Sequence, residues 1–279
     1  MSLGVTLAVL AAGFLHAGWN ALLKSSPGGD TLLDTASVVA GGSLCALVAV
    51  AFVPLPQDLA WPYIAASTVI HFGYNLTLAQ AYRSGDLSFA YPLMRGTAPL
   101  IVALLGAVLL RELPSAPMAL GILLISLGIV SIAFMQQRKH PPSATYWALG
   151  NAVLIASYTL VDATGARASG NAASYVAWLL LIEGLPFVAW VVARRRGVAL
   201  HYLRRNAPRG MIGGACSLAA YGIVLWAMTR APVAAVAALR ETSVLFAALM
   251  GSLWLKEGFG MRRLVGAMSV VLGIVALKL

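Results

Sequence analysis

Two arginines lie inside long apolar segments of this 279-residue chain. Arg95 and Arg240 are each about eight residues, or ~12 Å, into a predicted helix. A guanidinium presents fixed donors that suit a carboxylate or phosphonate. Because ionisable side chains at membrane depth are costly, they usually face a cavity or a partner. The arginines are therefore candidates for binding a substrate, or structural residues that bind carbonyls or an acid.

Two histidines lie within polar stripes that repeat every four residues, so neither stripe should face lipid. The first stripe, with a tryptophan at its edge, comprises His16, Asn20, Lys24 and Trp19. The second comprises His71 and Asn75, with Tyr74 beside them. Histidine titrates near pH 6.5, so His16 or His71 could carry a coupling proton or simply bond neighbouring helices. No cysteine or acid pair stands at ligand spacing, so we expect no metal.

The embedded acids suggest a charge balance. Glu183 lies about ten residues into its helix, where it could carry a proton or neutralise Arg240 or Arg95. Glu241 follows Arg240, although successive helical residues point to different faces. One-to-one matching of Glu183 and Glu241 with the two arginines would leave no surplus negative charge. This balance favours a zwitterion over a cation as ligand.

The remaining acids lie nearer to helix ends. Asp162 is predicted to be a capping or interfacial residue. Glu112 and Glu257 adjoin Arg111 and Lys256, and pairing at the membrane boundary is their preferred interpretation.

Aromatic residues could line an apolar pocket with polar tips, although each could equally well be packing or an interface belt. The candidates are Trp19, Tyr74, Tyr91, Tyr158, Trp178, Tyr221 and Trp226.

The composition excludes a soluble protein. Hydrophobic residues make up 60% of the chain and charged residues 10%, with a mean hydropathy of +0.86; soluble domains carry about 25% charged residues. Cys45 and Cys216 are too few for a disulfide framework. The net charge of +10 comes from Lys and Arg in short loops, where they report membrane orientation rather than nucleic-acid binding. We expect no cofactor.

Apolar stretches between Gly, Pro, Asp and Arg predict an all-α integral membrane protein with ten transmembrane helices. The N-terminal segment lacks a basic region and a cleavage site, so it is expected to remain as the first helix. The predicted helices are 4–23, 31–53, 61–82, 87–110, 116–136, 144–165, 173–193, 209–229, 232–255 and 261–277. Polar loops are expected at 136–143 and 194–209.

The two halves of the chain, 1–138 and 139–279, form an internal repeat. Residues 88–112 align with 233–257, matching an arginine, a threonine, a glycine and a glutamate. The matched pairs are Arg95 with Arg240, Thr97 with Thr242, Gly106 with Gly251, and Glu112 with Glu257. Since each half has five helices, the second copy should be inverted, as in secondary transporters. Glycines at 121, 128, 266 and 273 indicate close helix packing, as scaffold or as a dimer face.

The sequence resembles the EamA-type branch of the drug/metabolite transporter superfamily. The likeness lies in the five-plus-five arrangement, in YPLMRGTAPL with Arg-Glu closing the fourth helix, and in HAGWN and YTLVDATGAR on the first and sixth helices. It implies a carrier of small metabolites, often an exporter of amino acids, in the bacterial inner membrane.

We therefore expect a carrier, monomeric or homodimeric, with a cavity walled by helices one, three, four, six, eight and nine. The alternative is a multidrug or organic-cation efflux carrier. An intramembrane enzyme is disfavoured because no nucleophile–base set is visible, and a channel because no filter loop is visible. The basic residues favour both termini outside the cytoplasm.

Overall fold

The computed structural model describes residues 1–24, 30–85, 87–134, 141–246 and 261–278. That part of the chain is all-α and contains ten α-helices, joined by short connections. They are α1 (Leu3–Lys24), α2 (Thr31–Ala49), α3 (Trp61–Ser84), α4 (Leu87–Leu109), α5 (Ala116–Phe134), α6 (Pro142–Ala168), α7 (Ala172–Arg205), α8 (Ala207–Met228), α9 (Val233–Arg240) and α10 (Met261–Ala276).

Six of the described helices are long and apolar enough to cross a membrane. They include Thr31–Phe52, Phe89–Leu109 and Ala116–Phe134, whose outer faces are exposed to the surroundings. Shorter apolar helices cover Leu3–Gly18 and Val265–Ala276. A bundle with this many apolar helices is a multi-pass membrane protein, as the composition predicts.

The polar segment 194–209, expected as a loop, is mostly helical. α7 continues to Arg205, across a break at Arg196, whose φ of 40° and ψ of −122° are not helical. Tertiary contacts stabilise the added turns, because Ala199 is buried and the Tyr202 hydroxyl donates to Asp34 Oδ1 at 2.6 Å. Those contacts override the local polarity that favoured a loop.

The predicted ninth helix is interrupted. α9 ends at Arg240, Glu241 and Thr242 form a turn, and the backbone is helical again at 243–246. The N–H groups of Glu241 and Thr242 donate to the carbonyls three residues before them. The Thr242 hydroxyl donates to the Leu239 carbonyl at 2.8 Å, a side-chain bond that competes with regular helix. The rest of the predicted helix lies outside the described residues.

The glycines of the repeat bring α5 and α10 into close contact. A Cβ on Gly121 would lie 2.8 Å from the Gly273 carbonyl oxygen, and one on Gly128 would lie 3.0 Å from that of Gly266. The close approach is within one chain, so the scaffold interpretation is confirmed for these residues.

One end of the bundle is held together by an ion pair and by hydrogen bonds to backbone groups. At this end, here called the Glu112 end, α4, α6 and α8 finish and α9 begins. There Arg167 Nη1 lies 2.6 Å from Glu112 Oε1, and the Val233 N–H donates to Glu112 Oε2 at 2.8 Å. Arg167 also donates to the Met228 carbonyl. Glu112 thus makes the expected boundary pair, but with Arg167 rather than Arg111.

Candidate functional site

A central cavity of about 380 Å³ lies among α1, α2, α3, α4, α6, α7, α8 and α9. It reaches the surface beside the exposed Thr31, at the end where α2 begins, here called the Asp34 end. Ten of the twelve predicted site residues line it: His16, His71, Tyr74, Asn75, Tyr91, Arg95, Tyr158, Glu183, Tyr221 and Arg240. The cavity has the size of a small-molecule site. Its walls include α2 and α7, which the sequence did not predict.

Arg95, Arg240 and Glu241 form a buried cluster, here called the arginine triad. Arg95 Nε lies 2.6 Å from Glu241 Oε2, and Arg240 Nη2 lies 3.3 Å from Glu241 Oε1. Glu241 is fully buried, and the arginines are 4% and 5% exposed. Arg95 also donates to the Ser243 hydroxyl at 3.4 Å, and its guanidinium lies 5.9 Å from the Tyr91 ring centre. Two cations therefore share one carboxylate.

The break after α9 explains this geometry. In a regular helix the side chains of adjacent residues diverge, and the sequence therefore placed Arg240 and Glu241 on different faces. At the turn, Glu241 instead lies within reach of both arginines. Arg95 and Arg240, which the sequence places equally far into their predicted helices, therefore meet at one carboxylate.

Glu183 does not pair with either arginine among the described contacts, so the predicted one-to-one charge matching is wrong. Its Oε2 lies 3.1 Å from His71 Nδ1 and has no aligned hydrogen-bond donor among the described residues. His71 Nδ1 is also 3.0 Å from both the hydroxyl and the carbonyl oxygen of Ser67. The imidazole stacks on Tyr158 with ring centres 4.2 Å apart.

Asp162 is not the capping or interfacial residue that the sequence predicted. It is fully buried within α6. Its Oδ1 accepts from the Tyr175 hydroxyl at 2.9 Å, and its Oδ2 accepts from the Tyr221 hydroxyl. Tyr221 links it to His71, because the two rings pack edge-on with their centres 6.2 Å apart. We refer to His71, Glu183 and Asp162 as the acid cluster.

Two of the seven aromatic candidates, Trp178 and Trp226, do not line the cavity. Trp226 instead faces Arg230, whose guanidinium lies 4.9 Å from its ring centre, in a second pocket at the Glu112 end. Trp178 packs edge-on against Trp61 at 5.5 Å. The side chain of Trp19 lies outside the described residues. Aromatic type alone does not specify which helix face is turned inward.

Sequence reasoning missed Asp34 and misread Asp162. Asp34 lines the cavity near its mouth, 8% exposed, and accepts from Tyr202. The sequence could have identified Asp34, because an acid one turn inside an apolar helix is itself unusual. The partners of Asp162 carried no such signal, since its two tyrosines lie on other helices.

The fold and part of the sequence have known counterparts. A crystal structure of a protein 20% identical to this chain superposes with a TM-score of 0.79, covering 99% of this chain and 98% of that one. At this identity the likeness establishes the fold alone. No curated protein matches the chain. The model of the EamA-like transporter family matches residues 142–279, and this half of the chain is therefore a domain of that family, within the drug/metabolite transporter superfamily.

Proposed function

We propose that the protein is a secondary transporter of the inner membrane that moves small zwitterionic metabolites, such as amino acids, out of the cell. The observation that carries this proposal is the arginine triad, in which two buried guanidiniums share one carboxylate at the cavity wall. The triad therefore carries a surplus positive charge. A buried uncompensated charge is costly, so an anionic group that enters the cavity relieves that cost.

The opposite charge lies elsewhere on the cavity wall. Glu183 and Asp34 both line the cavity, and Glu183 is paired with a histidine rather than an arginine. An α-amino acid carries one carboxylate and one ammonium, so it can satisfy the arginines with one group and an acid with the other. Tyr74, Tyr91 and Tyr158 supply an apolar surface for its side chain. Positive and negative groups at two separate places around the cavity support a zwitterionic substrate more directly than an equal number of acids and arginines does.

Alternating access between two inverted five-helix repeats is part of the proposal. The pairing of helices supports it, because contacts come in equivalent sets when α1–α5 are matched with α6–α10. α3 packs on α6, and their equivalents α8 and α1 also pack together. α2 with α7, α4 with α9, and α5 with α10 are contacts between equivalents. Such a pseudo-twofold arrangement is the basis of exchange between two facing states in inverted-repeat carriers.

The proposed orientation places both termini outside the cytoplasm, so that the cavity mouth at the Asp34 end faces inward. Thirteen of the nineteen Lys and Arg residues belong to the segments at that end, against four at the other. A C-terminal alkaline phosphatase fusion should be active and a fluorescent-protein fusion dark. The reverse pattern would show the opposite orientation. Outward transport rests on the family resemblance.

The transport proposal is tested in proteoliposomes by counterflow, in which unlabelled substrate inside drives entry of labelled substrate without an ion gradient. Candidate amino acids are first selected by thermal shift, since a ligand that binds the folded state raises its stability. We expect saturable counterflow in the wild type and a much weaker apparent affinity in Arg95→Lys. Non-saturable flux would indicate a pore, and counterflow at the wild-type rate in Arg95→Lys would remove the arginine triad from substrate binding.

An organic-cation carrier is the second candidate, favoured by one observation. Glu183 has an oxygen without an aligned donor and lies beside the stacked rings of His71 and Tyr158, a combination that also suits a cation. Competition separates the two candidates. If tetraphenylphosphonium stabilises the protein and inhibits flux while amino acids do neither, the zwitterion proposal is wrong.

A further inference from the structure

The acid cluster differs from the arginine triad because it has no arginine or lysine partner among the described residues. Asp162 is fully buried and Glu183 is 17% exposed at its side chain. One imidazole, that of His71, lies close to Glu183 at 3.1 Å. Two carboxyl groups and one imidazole therefore share a site that is closed to bulk solvent except through the cavity.

The charge count of the acid cluster depends on protons. With both acids ionised, the cluster carries one net negative charge when His71 is protonated and two when it is neutral. Uncompensated charge in a membrane interior is strongly disfavoured. A proton bound within the cluster is the simplest way to reduce that charge, and its macroscopic binding belongs to the group rather than to one residue.

The neighbouring groups do not replace that proton. Tyrosines pack around the cluster: the hydroxyls of Tyr175 and Tyr221 donate to Asp162, and the rings of Tyr158 and Tyr74 contact the His71 ring. Tyrosines solvate an anion without neutralising it. Among the described residues, the remaining charged or titratable groups at the cavity are Tyr82 on α3, Tyr91 and Arg95 on α4, Arg240 and Glu241 on or after α9, His16 on α1 and Asp34 on α2. Glu241 contacts both arginines, and among the described residues neither arginine forms an ion pair with Glu183 or Asp162.

We propose that His71, Glu183 and Asp162 form a proton-binding site that couples proton entry to substrate exit. The inference rests on the proposed function, because it needs a substrate with a cationic group. When the ammonium of the substrate reaches Glu183, it supplies the positive charge that the proton supplied, and the proton leaves through the cavity. When the substrate departs, the cluster takes up a proton again. Only an N–H or O–H bond is broken and remade.

The arrangement explains why the two centres are separate. The arginine triad holds the anionic end of the substrate in either protonation state of the acid cluster. Exchange of one substrate molecule for another therefore needs no net movement of protons, whereas accumulation against a gradient needs the acid cluster to take up and release a proton. Substitution at the two centres should consequently give different defects.

Proteoliposomes test this by comparing counterflow with transport driven by a pH gradient. A difference of one pH unit is worth 1.36 kcal/mol per proton, so one-for-one proton exchange would concentrate substrate about tenfold. We expect the wild type to approach this ratio and His71→Gln to fall to about onefold while counterflow persists. Glu183→Gln also removes the partner of the substrate ammonium, so it should weaken both activities. Thr68→Val is the matched control, since the Thr68 hydroxyl donates to the Ile64 carbonyl of its own helix and Thr68 does not line the cavity.

Each result decides one proposal. Wild-type counterflow without any response to the pH gradient would overturn proton coupling and leave the transport proposal intact. Equal gradient-driven accumulation by the wild type and both variants would also overturn it. Loss of both activities in His71→Gln, with a normal melting temperature, would make His71 a residue needed for substrate binding and overturn its role in coupling.

A second measurement needs no substrate. Dicyclohexylcarbodiimide reacts with protonated carboxyl groups in apolar surroundings, and peptide mass spectrometry locates the adduct. In detergent-solubilised wild type we expect the adduct on Glu183, declining as the pH rises. His71→Gln should change that pH dependence, whereas Thr68→Val should not. Absence of the adduct at every pH between about 5 and 9 would count against a proton at this site.

Discussion

The arginine triad and the acid cluster both reach the central cavity but are assembled differently. Two members of the triad, Arg240 and Glu241, are adjacent in sequence, and the break after α9 turns them toward Arg95. The acid cluster takes one residue from each of three helices, α3, α6 and α7. The triad is therefore fixed by a local backbone feature, whereas the acid cluster depends on how the helices pack.

The charges of the two centres also differ. In the triad, one carboxylate compensates one of two guanidiniums, so a positive charge is left over. In the acid cluster, one imidazole faces two carboxyl groups, so a negative charge is left over unless a proton is bound. Opposite surpluses around one cavity are suited to a ligand with opposite charges. Substitutions in each centre, and then one at the Glu112 end, test this comparison.

Glu241→Leu should have the largest effect. It leaves two buried guanidiniums facing each other without a carboxylate, and breaking a buried ion pair in this way costs about 3–5 kcal/mol. We expect little folded protein, measured by size-exclusion chromatography of detergent extracts. The double variant Glu241→Leu with Arg240→Met removes one cation together with the acid and should recover part of the yield. Equal yields of Glu241→Leu and wild type would show that the triad does not stabilise the fold.

Arg95→Lys should have the next largest effect, and this effect is on transport rather than on folding. The charge remains to pair with Glu241, but a lysine ammonium is a point charge that lacks the planar fork of a guanidinium. A bidentate contact to a carboxylate is worth about 3 kcal/mol, so its loss corresponds to a roughly hundredfold weaker apparent affinity for substrate. Counterflow at increasing substrate concentration measures this. Arg230→Lys at the Glu112 end is the control and should leave affinity unchanged.

The features that the sequence predicts follow the same division between local structure and helix packing. Helix starts were predicted within a few residues, since the length of an apolar run is set by the bilayer. Arg95, Arg240 and Glu183 were found because charge inside such a run is rare. The break after α9 was not predicted, because it involves a Thr242 hydroxyl bond in a segment whose composition is that of ordinary helix. Asp162 was misread because its surroundings depend on tertiary packing.

Asp162→Asn tests the acid cluster, the centre that depends on helix packing. The amide keeps the size of the carboxyl group but accepts hydrogen bonds less strongly and cannot accept from both tyrosines through two oxygens. We expect a loss of about 1–3 kcal/mol, the cost of leaving a buried hydroxyl without its acceptor. Thermal unfolding in detergent should show a lower melting temperature. Tyr175→Phe removes one donor and should lower it less, so a larger effect of Tyr175→Phe would contradict this account of Asp162.

Arg167→Gln should have the smallest effect and concerns the closed Glu112 end. Its pair with Glu112 is partly exposed, with side chains 35% and 21% accessible, so we expect it to contribute about 1 kcal/mol or less. A loss of that size changes the population of an open state up to roughly fivefold. Ala234, 4% exposed at the start of α9, reports such opening when replaced by cysteine.

The rate of maleimide labelling at Ala234→Cys, in a background with Cys45 and Cys216 replaced by alanine, measures the opening. Arg167→Gln should label up to a few times faster than its parent. The matched control is Arg230→Gln, because Arg230 is exposed at the same end and contacts the face of Trp226 rather than an acid. Since Glu112 also accepts from the Val233 N–H, removing Arg167 loosens this end without freeing the carboxylate. Equal labelling in both variants would show that the Arg167–Glu112 pair does not hold the Glu112 end closed.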